Sequence, residues 1–334
     1  MKSIFLCESE FNLNRVYAKS LTEELKRTAG LYADGIFTKS DVLENPEKFS
    51  DTEYIFSTWG MPVFEKDQIQ RCFPRLKCVF YAAGTVQSFA RPFLKCKVRV
   101  FSAWAANAIP VAQYTAAQIV LALKGYFCRE HISCLSDWKA MKKRFAEYPG
   151  IYGEKVGIIG AGMIGKLVIG KVKALGLDCL VFDPFLPDET AARLGAEKCS
   201  LEKLFKECFV ISNHLANNAE THGMLKYALF SSMRKNSVFI NTGRGAQIVE
   251  NDLFGILNER PDITALLDVT VTEPPEESSE FYTLKNCFLT PHIAGSSGNE
   301  VHRMAEYMRD EFNRLESGKD CLYEVTEKML ETMS

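Results

Sequence analysis

The stretch KVGIIGAGMIGKLVIGKVKALGLDCLVFD, residues 155–183, decides how the chain is read. Val156-Gly157-Ile158-Ile159 is an apolar run of strand length, Gly160-x-Gly162-x-x-Gly165 follows it, and Met163–Ala174 reads as a helix. A second apolar run, Cys179-Leu180-Val181-Phe182, stops at Asp183. Each part has a physical reason. Gly160 permits a sharp turn, Gly162 lets backbone approach a pyrophosphate, and Gly165 lets helix pack close to strand. The helix N-terminus, with Met163 and Ile164 leading it, offers unpaired N–H groups and a partial positive charge to phosphates. Asp183 lies 18 residues beyond Gly165, at the end of the second strand. A carboxylate there accepts both ribose hydroxyls of an adenosine and repels a 2′-phosphate, which favours NAD over NADP. The plainer alternative is a strand–helix turn that merely needs glycines, with Asp183 capping a helix before Pro184.

Working outward, 334 residues fit about two domains, and 47% hydrophobic with 25% charged residues is ordinary for a globular protein. A net charge of −2 leaves no electrostatic footprint for nucleic acid, and no basic run suggests a membrane surface. The opening MKSIFLCESEF is too short in apolar residues for a signal segment, and no later stretch reads as a membrane span. Of eleven cysteines none forms CxxC, and Cys78, Cys179, Cys208 and Cys287 sit in apolar strand-like runs. Buried reduced thiols in a cytoplasmic protein is the simplest reading; a zinc site or a catalytic thiol is the alternative, and no metal site is assigned.

Before the glycine loop, strands at Ser3–Leu6, Tyr54–Ser57, Lys77–Ala82 and Val98–Ser102 alternate with helices at Leu13–Arg27 and Phe64–Arg71. This is a small parallel α/β unit with no phosphate loop. Two of its strand ends open into Thr58–Pro62 and Ala82–Thr85, where ligands of open α/β sheets bind. Asn107–Phe127 reads as a long helix, apolar on much of its circumference, and residues 128–152, with Trp138, Met141, Phe145 and Tyr148, as an arm. A helix that apolar is buried against more than its own domain, which makes the helix and arm a candidate homodimer interface; a core helix is the alternative. Past Asp183, strands at Phe209–Ser212, Ser237–Ile240, Ile263–Leu267 and Cys287–Leu289 alternate with helices at Leu201–Lys206, Leu225–Ser231 and Asn251–Asn258. The fold class is therefore α/β: two Rossmann-like doubly wound domains with a cleft between them. A last helix over 297–316 is long enough to return to the first domain. The expected division is 1–104 plus 302–334 for a flavodoxin-like substrate domain, and 105–301 for the dinucleotide domain.

Three clusters follow successive strands of the second domain: Asn241-Thr242-Gly243-Arg244-Gly245, Asp268-Val269-Thr270-Val271-Thr272-Glu273, and Thr290-Pro291-His292-Ile293-Ala294-Gly295-Ser296. The fold brings Arg244, Glu273 and His292 to one rim, with Thr242 and Gly243 on the cofactor side. Singly, each has a bland reading as a salt-bridge partner, a solvated turn or a helix cap. Together they form a chemical set. A histidine exchanges a proton with a hydroxyl or carbonyl oxygen near neutral pH, a carboxylate beside it holds its tautomer, and an arginine grips a substrate carboxylate.

With these motifs in order and spacing, the chain resembles the D-isomer-specific 2-hydroxyacid dehydrogenases over nearly its whole length. Val156–Gly165, NTGRG at 241–245, LDVTVTEPP at 267–275 and LTPHIAGS at 289–296 carry the likeness. The resemblance implies hydride transfer between NAD and C2 of a 2-hydroxy or 2-oxo acid, with His292 as general acid/base, Glu273 as its partner and Arg244 as substrate binder. It also implies that backbone N–H groups of Ala83, Gly84 and Thr85 cradle the substrate carboxylate. Asp268 would meet the nicotinamide carboxamide, and a dimer would form through 107–150. Three departures stand out: Met163 where the family often has arginine, Val111-Ala112-Gln113 for Val-Ala-Glu, and Ser88-Phe89 where an acidic residue is usual. Glu273 argues against the formate dehydrogenase branch, which carries glutamine. His214 and His222 sit in a run like one the family places near the adenine, and His131 and His302 read as surface or interface positions. Trp59, Met61, Ala82 and Trp104 are the candidates for an apolar or small-group substrate pocket. An NAD(H)-sensing binding protein or corepressor on the same scaffold is the alternative to an enzyme.

Overall fold

Short central strands buried at every position lie at the heart of the first sheet, as parallel strands covered on both faces require. A computed structural model describes residues 2–128 and 130–331, with backbone alone at residues 33 and 34. The chain opens β1 (Ser3–Leu6), α1 (Glu10–Val16), α2 (Lys19–Thr28), β2 (Leu31–Phe37), α3 (Lys39–Glu44), β3 (Tyr54–Ser57), α4 (Lys66–Cys72), β4 (Cys78–Tyr81), α5 (Ala90–Lys95) and β5 (Arg99–Ser102). Then come α6 (Trp104–Leu123), α7 (Leu135–Phe145), β6 (Lys155–Ile159), α8 (Met163–Ala174), β7 (Asp178–Phe182), α9 (Asp188–Arg193) and β8 (Ala196–Lys198). The second sheet continues through α10 (Leu201–Glu207), β9 (Val210–Asn213), α11 (Tyr227–Ser231), β10 (Val238–Asn241), α12 (Glu250–Glu259), β11 (Thr264–Leu267) and β12 (Cys287–Leu289). The chain closes with α13 (Glu300–Glu316) and β13 (Glu324–Val325).

Two units result, residues 1–107 with 296–334 and residues 108–295. The crossings thus fall at 107/108 and 295/296 rather than at the expected 104/105 and 301/302. Residue 129 of the expected arm and residues 332–334 of the expected tail lie outside the described residues.

In the first unit the strand order is β2-β1-β3-β4-β5-β13, parallel except for β13, which is a doubly wound sheet of flavodoxin type with an antiparallel edge. The edge is stapled by Arg99, whose Nε and Nη2 donate to the two Glu324 carboxylate oxygens at 2.8 and 2.6 Å. One face of the sheet is covered by α13, whose Phe312 meets Tyr54, Phe56 and Phe80 at ring separations of 5.3, 5.8 and 5.8 Å. Buried Glu311 turns the chain after this helix by accepting the Leu322 and Tyr323 N–H groups.

In the second unit the order β8-β7-β6-β9-β10-β11-β12 is the doubly wound dinucleotide-binding order, extended by one strand. Its direction of winding reverses between β6 and β9, and the glycine loop leaves β6 there.

Several elements differ from expectation. The single helix over 13–27 is two, because Tyr17 leaves the helical conformation and buries its ring 4.9 Å from that of Phe5. Its hydroxyl donates to the Ser57 carbonyl at 3.3 Å. Strands β2, β8 and β13 were not anticipated. All three are edge or near-edge strands, and the pairing of β1 with β2 shifts register between Ser3 and Phe5. By length and composition α6 would pass as a membrane span, contrary to the sequence reading; most of it is buried. Its Ala112, Ile119, Ala122 and Leu123 join the core of the second unit.

Replacing Phe312 by Ala removes a ring that three others enclose. The expected cost is about 3–5 kcal/mol, read as a fall in the urea midpoint; a midpoint unchanged from the parent chain would contradict this packing.

Candidate active site

The glycine loop is built for a close approach. Gly160 has φ +85°, and a Cβ there would stand 2.7 Å from the His214 carbonyl oxygen. At Gly165 it would stand 2.0 Å from the Gly160 carbonyl oxygen, whereas at Gly162 it would meet nothing within 4 Å. Two glycines close the turn and the third leaves the space over it open. Gly162 caps α8 without a side-chain hydrogen bond, so the first-turn N–H groups have no capping side chain. Met163 is exposed and Ile164 half-buried in that turn. Donor-rich, uncapped and unobstructed, the loop fits a pyrophosphate. Asp183 accepts the Ala161 N–H at 2.7 Å through Oδ2 and the Phe185 N–H at 2.8 Å through Oδ1. Each oxygen can accept a further hydrogen bond, so the carboxylate that shapes the loop could also hold a ribose.

At the carboxyl ends of β10, β11 and β12 stand Arg244, Glu273 and His292. His292 Nδ1 lies 2.8 Å from Glu273 Oε2, both side chains partly exposed. With the Nδ1 proton directed to the carboxylate, Nε2 is the ring nitrogen left for a ligand. A cavity of about 470 Å³ beside the pair is lined by Asp268, Glu273, Pro275, Tyr282, Leu289 and His292. Arg244 donates from Nη1 to the Gly243 carbonyl at 2.7 Å. Burial pulls the pKa of its guanidinium below the usual value, and the charge of Glu273 opposes that shift. The loop carrying Arg244 is pressed onto the one leading to Glu273, since a Cβ on Gly245 would stand 2.0 Å from the Thr270 carbonyl carbon.

His292 itself is left-handed, φ +53°, a conformation that costs an L-residue about 1–2 kcal/mol. The buried Asp268 holds it there. Its carboxylate accepts Thr290 Oγ1 at 2.6 Å and Ile293 N–H at 2.8 Å on Oδ1, and Ala294 N–H at 2.9 Å on Oδ2. The Asp268 carbonyl takes the His292 N–H at 3.1 Å. Oδ2, with one such partner, can accept a further hydrogen bond. Tyr114 Oη backs this turn from α6, 3.2 Å from Thr290 Oγ1.

Thr242 is buried, its hydroxyl 3.4 Å from His214 Nδ1 and 3.3 Å from Thr115 Oγ1. Ser212 Oγ meets His214 Nε2 at 2.9 Å. Complete burial pushes the His214 pKa down to about 3, so this ring is neutral and structural.

In the first unit, Ala83, Gly84 and Thr85 follow β4. Ser102 Oγ donates to the Ala83 and Gly84 carbonyls at 2.9 and 2.5 Å, and Thr85 is exposed. A second hollow, about 540 Å³, lies at the β8 edge between Asp188 and Cys199; none of the residues above lines it. All eleven cysteines are free, and burial raises the Cys78, Cys179 and Cys287 thiols to about 12. Among the described residues no His, Cys, Asp and Glu group has the makings of a metal site.

Sequence reading missed the side chains that hold these loops: Thr290 and Tyr114 behind His292, and Asn213 and Gln247 behind Arg244. The available signal was an amide closing an apolar strand, Val210-Ile211-Ser212-Asn213, and another inside the apolar run Ala246-Gln247-Ile248-Val249.

Fold and glycine loop together define a dinucleotide-binding α/β protein. Residues 120–294 match the NAD binding domain of the D-isomer specific 2-hydroxyacid dehydrogenases, and the chain belongs to that family. It is 29% identical over 270 residues to D-3-phosphoglycerate dehydrogenase of Methanocaldococcus jannaschii, covering 80% of this chain and 50% of that protein. It is 31% identical over 169 residues to glyoxylate reductase of Korarchaeum cryptofilum, covering 51% of each. The aligned region thus spans about half the length of these curated relatives. The apo structure of D-mandelate dehydrogenase from Rhodotorula graminis superposes over 98% of both chains with a TM-score of 0.81 at 20% identity, a likeness of fold.

The buried neutral His214 generates a pH prediction. The unfolded chain takes up a proton near pH 6.5 and the folded chain only near pH 3, so stability is lost as pH falls between those values. The slope is at most about 1.4 kcal/mol per pH unit. His214→Gln should flatten that part of a urea-unfolding series run from pH 7.5 to 4.5; an unchanged slope would refute the assignment.

Proposed function

We propose that the protein transfers a hydride between NAD and C2 of a small D-2-hydroxy or 2-oxo acid. The observation that carries this reading is the 2.8 Å contact between His292 and Glu273, beside the half-buried Arg244. The substrate carboxylate is held by the Arg244 guanidinium, whose planar fork suits bidentate contact. Gly160, Gly162, Met163, Ile164 and Gly165 hold the cofactor pyrophosphate, Asp183 its ribose, and Thr242, Gly243 and Asp268 the nicotinamide end. Bound NAD supplies the hydride acceptor, or in its reduced form the donor. In oxidation His292 Nε2 removes the hydroxyl proton and Glu273 stabilises the imidazolium; in reduction Nε2 returns the proton to the carbonyl oxygen. Arg244 polarises that carbonyl while it anchors the acid.

We further propose that the protein is a cytoplasmic homodimer formed through the helix and arm of residues 107–150. Leu135, Trp138 and Ile132 are exposed along that arm, more apolar surface than one short segment ordinarily leaves to water.

Turnover of NADH with a panel of 2-oxo acids (glyoxylate, hydroxypyruvate, pyruvate, phenylpyruvate and branched-chain acids) tests the reaction. His292→Ala should lower kcat by about 10²–10⁴ and leave the NADH dissociation constant unchanged by fluorescence. Turnover near the parent value would remove His292 from its role. Silence of the parent chain across the panel, with NADH still bound, would favour the sensing alternative. For the arm, Leu135→Ser with Trp138→Ser should shift sedimentation from dimer to monomer; a dimer that survives both changes would place the interface elsewhere.

A further inference from the structure

Beneath Arg244 lies a closed set of three side-chain amides, Asn213, Asn241 and Gln247, each without solvent exposure. Asn213 Nδ2 donates to Asn241 Oδ1 at 3.0 Å and to Gln247 Oε1 at 2.6 Å. Asn213 Oδ1 accepts the Leu215 N–H at 3.2 Å. Gln247 Nε2 donates to the Leu215 and Ala216 carbonyls at 2.9 and 3.0 Å. Toward the arginine, Gln247 Oε1 accepts the Arg244 N–H at 3.0 Å, and Asn241 Nδ2 donates to the Arg244 carbonyl at 3.1 Å. Asn241 Oδ1 also accepts the Gly243 N–H at 3.1 Å.

This arrangement is informative because of what it leaves unused. Asn213 and Gln247 each spend both amide protons, and the oxygens of Asn241 and Gln247 each accept two hydrogen bonds, so the network has little slack. A buried amide that loses one partner bears the full cost of desolvation. The network therefore has one low-energy arrangement, and the peptide groups on both sides of Arg244 are part of it. Arg244 is extended, φ −142° and ψ 150°, and stands as the N-cap of the short 3₁₀ turn Gly245–Gln247, whose Gln247 side chain accepts its N–H. Its guanidinium donates to the adjacent Gly243 carbonyl and feels the charge of Glu273. The planar fork is thus carried by a backbone that the amides fix on both sides. The same amides grip the Leu215–Ala216 peptides, which continue from the His214 carbonyl packed on Gly160.

We propose that Gln247 and Asn213, acting through Asn241, are positioning residues for Arg244, fixing where its guanidinium meets the substrate carboxylate. The kinetic readouts rest on the function proposed above; the structural readout does not.

The test uses Gln247→Met, which keeps the length of the side chain and removes its amide. The crystal structure of this variant should show residues 242–247 displaced, with Arg244 moved from its present place. With a 2-oxo acid that the parent chain reduces, KM should rise about tenfold or more, while the NADH dissociation constant changes less than twofold. In an Arg244→Lys background the same substitution should add less than twofold to KM, because the aim of the fork is already lost. Asn213→Ser, which removes both donors from the other side, should reproduce the pattern should Gln247→Met fail to fold. Arg244 unmoved in the variant crystal, or a KM effect that multiplies fully in the double variant, would overturn the proposal. A parent chain that reduces no 2-oxo acid would overturn the proposed function, and the crystallographic position of Arg244 would still decide this inference.

Discussion

One buried carboxylate, that of Asp268, governs the active end of the second unit. It ends β11 and gathers the backbone of the neighbouring β12 loop through Thr290, Ile293 and Ala294. The backbone of His292 is left-handed, and the hydrogen bonds that hold it there, each worth about 1 kcal/mol net, are enough to offset the conformational cost of that single residue. Remove this tie and the loop has no reason to keep the imidazole beside Glu273. The geometry of the His292–Glu273 pair is in this sense a property of the strand ends, transmitted through backbone rather than through the imidazole.

Arg244 follows the same logic with different chemistry. Both residues are positioned through their peptide groups, one by a carboxylate and one by amides, so their side-chain heads stay available for a ligand. A charged clamp on the arginine head would have been stronger in Coulombic terms, and it would have competed with a substrate carboxylate for the same donors. Neutral amides aim the residue without occupying it.

Much of this could be read from the chain. Val156–Gly165 and Asp183 announced the dinucleotide unit because strand, turn and helix each leave a local signature within thirty residues. Arg244, Glu273 and His292 could be grouped because each follows a buried apolar strand, and parallel strands bring their carboxyl ends to one side. The edges were harder. In β2, Tyr32-Ala33-Asp34-Gly35 lacks an apolar run, and β13 is two residues long and pairs with β5 across more than two hundred residues of sequence. Tyr17 broke a helix for the sake of an aromatic contact that periodicity does not encode. Asn213 and Gln247 lie 34 positions apart, and nothing local to either says that it faces the other. What is legible is what nearest neighbours determine; the supports of the site depend on pairings that only the folded sheet makes.

The return of α13 and β13 to the first unit has a consequence for how the molecule is made. The five parallel strands of that unit are emitted by residue 102, yet the face formed by Tyr54, Phe56 and Phe80 receives Phe312 only after the entire 108–295 unit has been synthesised. On the ribosome the second unit can close on its own contacts while the first waits with a stacked aromatic face open to solvent. At about 5–20 residues per second, that wait lasts roughly ten to forty seconds. The inserted unit thus has all of its strands, from residue 155 to residue 289, before the first unit receives its last helix and strand, the reverse of the order in which their first strands are made.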